Sequence, residues 1–383
     1  MKRKIFKHLE KAKHGYLKIT TPCGNDIEIG DKKSQIQADI QIKDWSLLDL
    51  VLSKGDIGFG EGYIKGQFTS SKIENLLLFI SLNHKEFEAI FHSNIIYSIF
   101  FSIKNFFKKN SLKGSKKNIE FHYDLGNDFY SLWLDETMSY SSGIFCEEGC
   151  LKKSQKNKYQ RILDQLNKDG SKILEIGCGW GGFIDQASDQ GFKVRGLTLS
   201  NEQKSYADNL IVSKKLNSKI ALQDYRLEKE KFDNIVSIEM FEAVGKEYWN
   251  EYFSKIKECL KEGGKAVVQT ITINDELYKK YHETSDFIRE YIFPGGFLPS
   301  PDIFKKIAKK NGLQVIDEFK FGDSYKQTLL KWLDNFNAAQ SKVLELGYDQ
   351  EFIRKWQFYL AYCAAGFESK RTDVIQYSLV HSK

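Results

Sequence analysis

KILEIGCGWGGF, residues 172–183, is a short apolar run that breaks into four glycines and leads into FIDQASDQ. It reads as strand, tight turn and helix, the turn glycines letting backbone approach a ligand while the helix N-terminus favours an anionic group. Further along, FKVRGLTL (192–199), KIALQDY (219–225), FDNIVSIEM (232–240) and KAVVQTITI (265–273) are β-rich runs separated by helical segments. The alternation predicts an α/β fold with an open, mainly parallel, Rossmann-like sheet. LQVIDEFKF (313–321) and DVIQYSLVHS (373–382) add an antiparallel edge and bring the sheet to seven strands.

Upstream the pattern differs. From Gly15 to about Ile42 polar and apolar residues alternate between Gly and Asp turn signals, as short antiparallel strands do, and helical spacing follows in WSLLDLVLSK (45–54) and SKIENLLLFISLN (71–83). Between them GDIGFGEGYIKGQFTSS (55–71) is so rich in Gly that it reads as a tight turn leading into a short strand. Residues 1–103 are expected to form a small N-terminal α+β domain, 104–118 a Lys-rich linker without apolar periodicity, and 119–383 the catalytic domain.

With 383 residues the chain exceeds one domain of roughly 100–200 residues. Its charge is uneven: residues 1–118 carry 20 Lys and Arg against 12 Asp and Glu, whereas the remainder is slightly acidic. That asymmetry suits a surface facing anionic phospholipid headgroups, nucleic acid, or simply water. No apolar run reaches the ~18 residues that span a bilayer; the nearest, Ile90 to Ile103, is broken by His92, Ser93 and Asn94. The basic N-terminus lacks an apolar signal core, so a cytoplasmic location is expected. The six cysteines form no CxxC clusters, which argues against a zinc site or a disulfide framework.

The glycine turn has the spacing GxGxGG, not the GxGxxG of a nicotinamide site, and the second strand ends in GLTLSNEQ with no acidic residue where a dinucleotide ribose needs one. The segment has the form of an S-adenosylmethionine-binding loop. Gly177, Gly179 and Gly181 would admit the cofactor backbone-close, with Cys178 and Trp180 as packing residues within the loop. Thr198, Leu199, Ser200 and Gln203 would flank the ribose, and Gln223, Asp224, Tyr225 and Arg226, ending the third strand, the adenine. Asp224 is placed to accept from the exocyclic amine and Tyr225 to stack.

In order and spacing, HYDLGNDFYSLWLDETMSYSSGIF (122–145), EIGCGWGGF, GLTLSNEQ, QDYR, EMFEAVG (239–245), YIFPGGFLPS (291–300) and AAGF (364–367) resemble the cyclopropane-fatty-acyl-phospholipid synthase family. The N-terminal GDIGFGEGYIKGQFTS is similar to the lipid-facing domain of its full-length bacterial members. The resemblance implies methyl transfer from S-adenosylmethionine to a cis double bond of an unsaturated phospholipid acyl chain, then proton loss to close a three-membered ring. It also implies peripheral membrane association, no nucleic-acid partner and a homodimer. An alkene is a feeble nucleophile, so the site must align the reactants, exclude water and tolerate a carbocation. Phe121, Tyr123, Phe129, Tyr130, Trp133, Tyr140 and Phe145 are aromatic candidates, and Tyr140 and Ser141 join the cofactor set. The same resemblance implies a bound bicarbonate as base, caged by Ser142, Glu242, Gln269, Ile271 and Tyr325, and gives Cys363 in YCAAGF as an active-site cysteine. No His or Asp pattern accompanies Cys363, so a wall role suits it better than a covalent one.

Two positions depart from the best-known bacterial synthases, which have Cys at the place of Ser142 and His at that of Gln269. A neutral amide can hydrogen-bond an anion but adds no positive charge and relays no proton, so Gln269 bears on the product. Methyl transfer without ring closure, giving a methyl-branched or methylene fatty acid, methylation of a small acceptor, and an inactive lipid-binding protein are the competing readings.

Overall fold

A computed structural model of the chain describes residues 2–91, 125–146, 149–168 and 171–383; the expected linker 104–118, Phe121 and Tyr123 lie outside them. The chain divides into two compact units. One comprises Met1–Phe107, Tyr281–Ile292 and Leu329–Arg371, the other Lys108–Lys280, Phe293–Thr328 and Thr372–Lys383. Residues 281–292 and 329–371, read in sequence as part of the catalytic stretch, thus pack with the N-terminal residues.

In the first unit β1 (Tyr16–Thr20), β2 (Asp26–Gly30), β3 (Gln37–Ile42) and β4 (Phe68–Thr69) form a sheet of order β2-β1-β3-β4. β1 pairs antiparallel with β2 but parallel with β3, a correction to the all-antiparallel expectation. Helix Ser46–Lys54 and helix Ile73–Leu82 form where the helical spacing placed them. The Gly-rich stretch is the larger surprise, since Asp56–Ile64 is a helix and only Phe68–Thr69 is strand. Its glycines serve close packing: a Cβ on Gly58 would lie 2.1 Å from the Leu50 carbonyl oxygen, one on Gly60 2.4 Å from the Phe287 ring, and one on Gly62 2.4 Å from Leu47. The helix packs against Gln350–Glu368, where the Tyr362 hydroxyl donates to Asp56 at 2.7 Å.

In the second unit β5 (Lys172–Ile176), β6 (Lys193–Thr198), β7 (Lys219–Leu222), β8 (Phe232–Ile238), β9 (Leu260–Ile273), β10 (Leu313–Lys320) and β11 (Thr372–His381) form a sheet of order β10-β11-β9-β8-β5-β6-β7. β5 to β9 pair with one another in parallel, while β11 runs antiparallel to both β9 and β10. This is the expected seven-stranded sheet. Two apolar layers cover it: Leu174, Ile176 and Ile235 pack with Trp249, Phe253 and Phe304, and Ile173, Val194 and Val236 pack with Ile162, Leu163 and Ile184. Burial on both faces explains why the central strands read as continuous apolar runs.

Candidate active site

The carboxyl ends of β5, β6 and β8 open onto one cleft. β5 runs into Gly177, Gly179 and Gly181, all at positive φ (+83°, +52° and +91°), and Gly181 begins helix Gly182–Asp189. Only glycine takes this path without strain. A Cβ on Gly177 would meet Met240 at 2.8 Å, whereas nothing stands within 4 Å of one on Gly179, so the turn presents bare backbone to open space.

Tyr140, Ser141, Gly177, Cys178, Gly179, Trp180, Thr198, Leu199, Gln203, Gln223, Asp224, Tyr225 and Arg226 all line the cleft. Gly181 and Ser200 do not; Gly181 caps its helix, and the Ser200 hydroxyl accepts from the Gln203 N–H at 3.2 Å to cap helix Asn201–Lys214. The Thr198 hydroxyl donates to Gln203 Oε1 at 2.8 Å, which turns the amide nitrogen outward as a donor. Asp224 is already held by Arg226, whose Nε and Nη2 donate to its two oxygens at 2.9 and 2.6 Å. Tyr225 is buried with its ring edge-on to Tyr252 at 5.6 Å. These residues fit S-adenosylmethionine: bare backbone and a helix N-terminus for its carboxylate, neutral donors for its ribose, an acid and an aromatic wall for its adenine.

Behind Tyr140 and Trp180 stands an aromatic cluster. Tyr130 lies 5.0 Å from Trp180, 5.5 Å from Tyr140 and 5.6 Å from Trp133, with Phe129 alongside, and Asn127 accepts from Trp180 Nε1 at 2.6 Å. Phe145 is only half-buried, and its N–H donates to Ser324 at 3.1 Å.

The residues expected to cage an anion do converge, but on the chain itself. Oε1 of Glu239 accepts from the Ser142 N–H at 2.9 Å and from Gln269 Nε2 at 2.7 Å, and the Tyr325 hydroxyl donates to Oε2 at 2.5 Å. The Ser142 hydroxyl points away, donating to the Gly143 carbonyl at 2.9 Å. The Ile271 N–H donates instead to Glu242, whose carboxyl is pushed up to about 8 by burial and by the Glu239 charge. This donor set does not fit a bicarbonate ion as arranged, because the Ser142 N–H, a Gln269 N–H and the Tyr325 hydroxyl are given to Glu239 and the Ile271 N–H to Glu242. Cys363 belongs to the other compact unit; desolvation and the Asp286 carboxylate hold its thiol protonated.

Three residues of the site escaped the sequence reading. Glu239 follows β8 directly and lines the cleft, at φ +49°. Glu175, in the middle of β5, lines it too, and burial raises its carboxyl well above the ordinary range. Lys158, fully buried on helix Leu151–Gln165, donates to Ser141 Oγ and Gln155 Oε1 at 2.6 Å each, and burial lowers its ammonium to about 8. Each had a signal: a charged residue inside or ending an apolar run, or on the apolar face of an amphipathic helix, demands a partner.

Residues 110–377 match the family described as mycolic acid cyclopropane synthetase. The chain is 33% identical over 338 residues to tuberculostearic acid methyltransferase UfaA1 of Mycobacterium tuberculosis, covering 85% of this chain and 79% of that protein. It is 32% identical over 350 residues to the cyclopropane-fatty-acyl-phospholipid synthase of Escherichia coli, covering 90% and 88%. The crystal structure of mycolic acid cyclopropane synthase CmaA1 complexed with SAH and CTAB matches with a TM-score of 0.65 at 30% identity, over 69% of this chain and 97% of that one. A family match over most of the chain, and a cofactor cleft built where such enzymes need it, together place this S-adenosylmethionine-dependent methyltransferase in the mycolic acid cyclopropane synthetase family.

Proposed function

We propose that the enzyme methylates the cis double bond of an unsaturated acyl chain carried on a phospholipid, at the membrane surface, and forms a cyclopropane fatty acid. The observation that carries this reading is a single cleft joining the glycine turn to an aromatic wall and to a buried carboxylate. Bound there, S-adenosylmethionine supplies an electrophilic methyl group. The Gly177–Gly179 backbone and the following helix would hold the amino-acid end, Gln203 the ribose, and Asp224 with Arg226 the adenine side. Tyr140 and Trp180, braced by Tyr130 and Trp133, exclude water and offer ring faces to a cation on the acyl chain. Glu239, held by Ser142, Gln269 and Tyr325, lines the same cleft as a buried carboxyl group.

The similarity to the Escherichia coli synthase over 90% of the chain supports the phospholipid substrate. Similarity of the same order to a tuberculostearic acid methyltransferase supports a second reading, methylation without ring closure. Mass spectrometry of lipids from cells expressing the protein separates them. A cyclopropane appears as one added CH2 in a chain that no longer takes up hydrogen as an alkene does, a methylene product as one that still does. An unchanged lipid profile would sink both.

A further inference from the structure

Three of the five residues that the family resemblance assigns to bicarbonate, Ser142, Gln269 and Tyr325, already meet on a carboxylate supplied by the chain. A carboxylate and a bicarbonate offer donors the same planar O–C–O edge, so the N–H and O–H groups that close on Glu239 are not available to a bicarbonate in the same place. Further observations indicate that Glu239 is built into this position. Gln269 Oε1 accepts from Gln376 Nε2 at 2.9 Å, and Gln376 Oε1 accepts from Arg161 Nη1 at 2.9 Å, so the Gln269 amide must turn its nitrogen to Glu239. The backbone of Glu239 is left-handed at φ +49°, a conformation unfavourable to a residue with a Cβ; such strain persists where the surroundings impose it and gathers at working sites. Desolvation raises the Glu239 carboxyl above its ordinary range, opposed by the hydrogen bonds from Tyr325, Ser142 and Gln269 and by the buried Lys158 ammonium.

We infer that Glu239 is itself the base of the reaction, taking the place of an exogenous bicarbonate, with Gln269 and Tyr325 as the positioning residues that aim it. This rests on the function proposed above. After methyl transfer has left a cation on the acyl chain, a Glu239 oxygen takes a proton from the newly attached methyl carbon. The C–H electron pair closes the third side of the ring, and the carboxylate becomes a carboxylic acid that returns its proton to water once the product leaves. Positive charge on the chain and negative charge on the carboxylate cancel, and no further reactant is needed. The neutral amide at 269 then matches its partner: a cationic imidazole beside Glu239 would pair with the carboxylate and weaken it as a base.

The test uses the full chain with vesicles of unsaturated phospholipid and S-adenosylmethionine, in buffer purged of carbon dioxide, with and without added bicarbonate. Wild type is expected to methylate lipid at the same rate in both buffers. Glu239→Gln, which keeps the shape and removes the base, is expected to lose on the order of a hundredfold or more in rate with cofactor affinity by calorimetry unchanged. Glu239→Gly, which suits the left-handed backbone and empties the cage, is expected to be inactive without bicarbonate and to recover as bicarbonate is added, its melting temperature no lower than wild type. A wild-type rate that depends on bicarbonate, or a Glu239→Gln rate equal to wild type, overturns the inference while leaving the lipid methyltransferase reading intact. No methylated lipid from wild type in either buffer overturns that reading, and this inference with it.

Discussion

Glu242 lies three residues from Glu239, and burial raises both carboxyls above the ordinary range. Burial first, and then the charge of Glu239, lift Glu242 to about 8, so at neutral pH it is an acid whose Oε1 accepts from the Ile271 N–H. In the unfolded chain the same group titrates near the ordinary value of about 4.3. Between those two values the folded state holds a proton that the unfolded state has released, so stability falls as pH rises through that window. Glu242→Gln, neutral at every pH, is expected to remove this contribution. Calorimetric melting from pH 5 to 8 should show the wild-type temperature falling more steeply than the variant's, and parallel curves would refute the assignment. Little of this was legible from the residues alone. EMFEAVG shows two acids at one strand end, but not which would be charged, because the groups that decide come from positions 142, 269, 271 and 325, remote in sequence. The cofactor turn was legible because its glycines, strand and helix are neighbours in the chain.

The helix Asp56–Ile64 shows how one composition supports two structures. Glycine in a helix interior costs about 1 kcal/mol relative to alanine, and GDIGFGEG therefore reads as a turn. What the reading lacked was the partners: the Leu50 carbonyl and Leu47 crowd the helix at 58 and 62, and Phe287 crowds it at 60, so closely that no Cβ fits at any of the three. Gly60→Ala is accordingly expected to destabilise by about 1–3 kcal/mol through overpacking, although alanine is the better helix former. Denaturant unfolding measures it, and Phe287→Leu in the same chain should return part of the loss by opening space. A stabilised Gly60→Ala would mean that propensity, not crowding, governs the helix. The strands were easier, since both faces of β5 and β8 are buried and their apolar runs are continuous. Helix Leu151–Gln165 was harder still: its buried face mixes Leu151, Tyr159, Ile162 and Leu163 with Ser154, Gln155 and Lys158, and Lys158 is explained only by Ser141, Gln155 and the acids around it.

Over the whole molecule the charge is divided, with the excess of Lys and Arg confined to residues 1–118. Among the described residues no helix is long and apolar enough to cross a membrane. If the basic third meets the lipid surface, each nearby cation contributes about 1 kcal/mol and is screened over about 8 Å at physiological ionic strength. The protein should therefore sediment with vesicles containing anionic phospholipid, release as salt is raised, and ignore purely zwitterionic vesicles. Replacing the six lysines of 104–118 with Gln should weaken that binding while leaving cofactor affinity unchanged. Equal binding to both vesicle types would exclude an electrostatic surface role.

β11 is inserted between β9 and β10 although it follows both in the chain, and it sets Gln376 directly opposite Gln269. During synthesis β9 therefore emerges with one edge unpaired, and Gln269 emerges without the partner that orients its amide. Residues 1–107 likewise wait for 281–292 and 329–371 before their unit is complete. The Gln269 amide is fixed only once β11 has been made and paired, and until then β9 carries an open edge of the kind that invites wrong pairing.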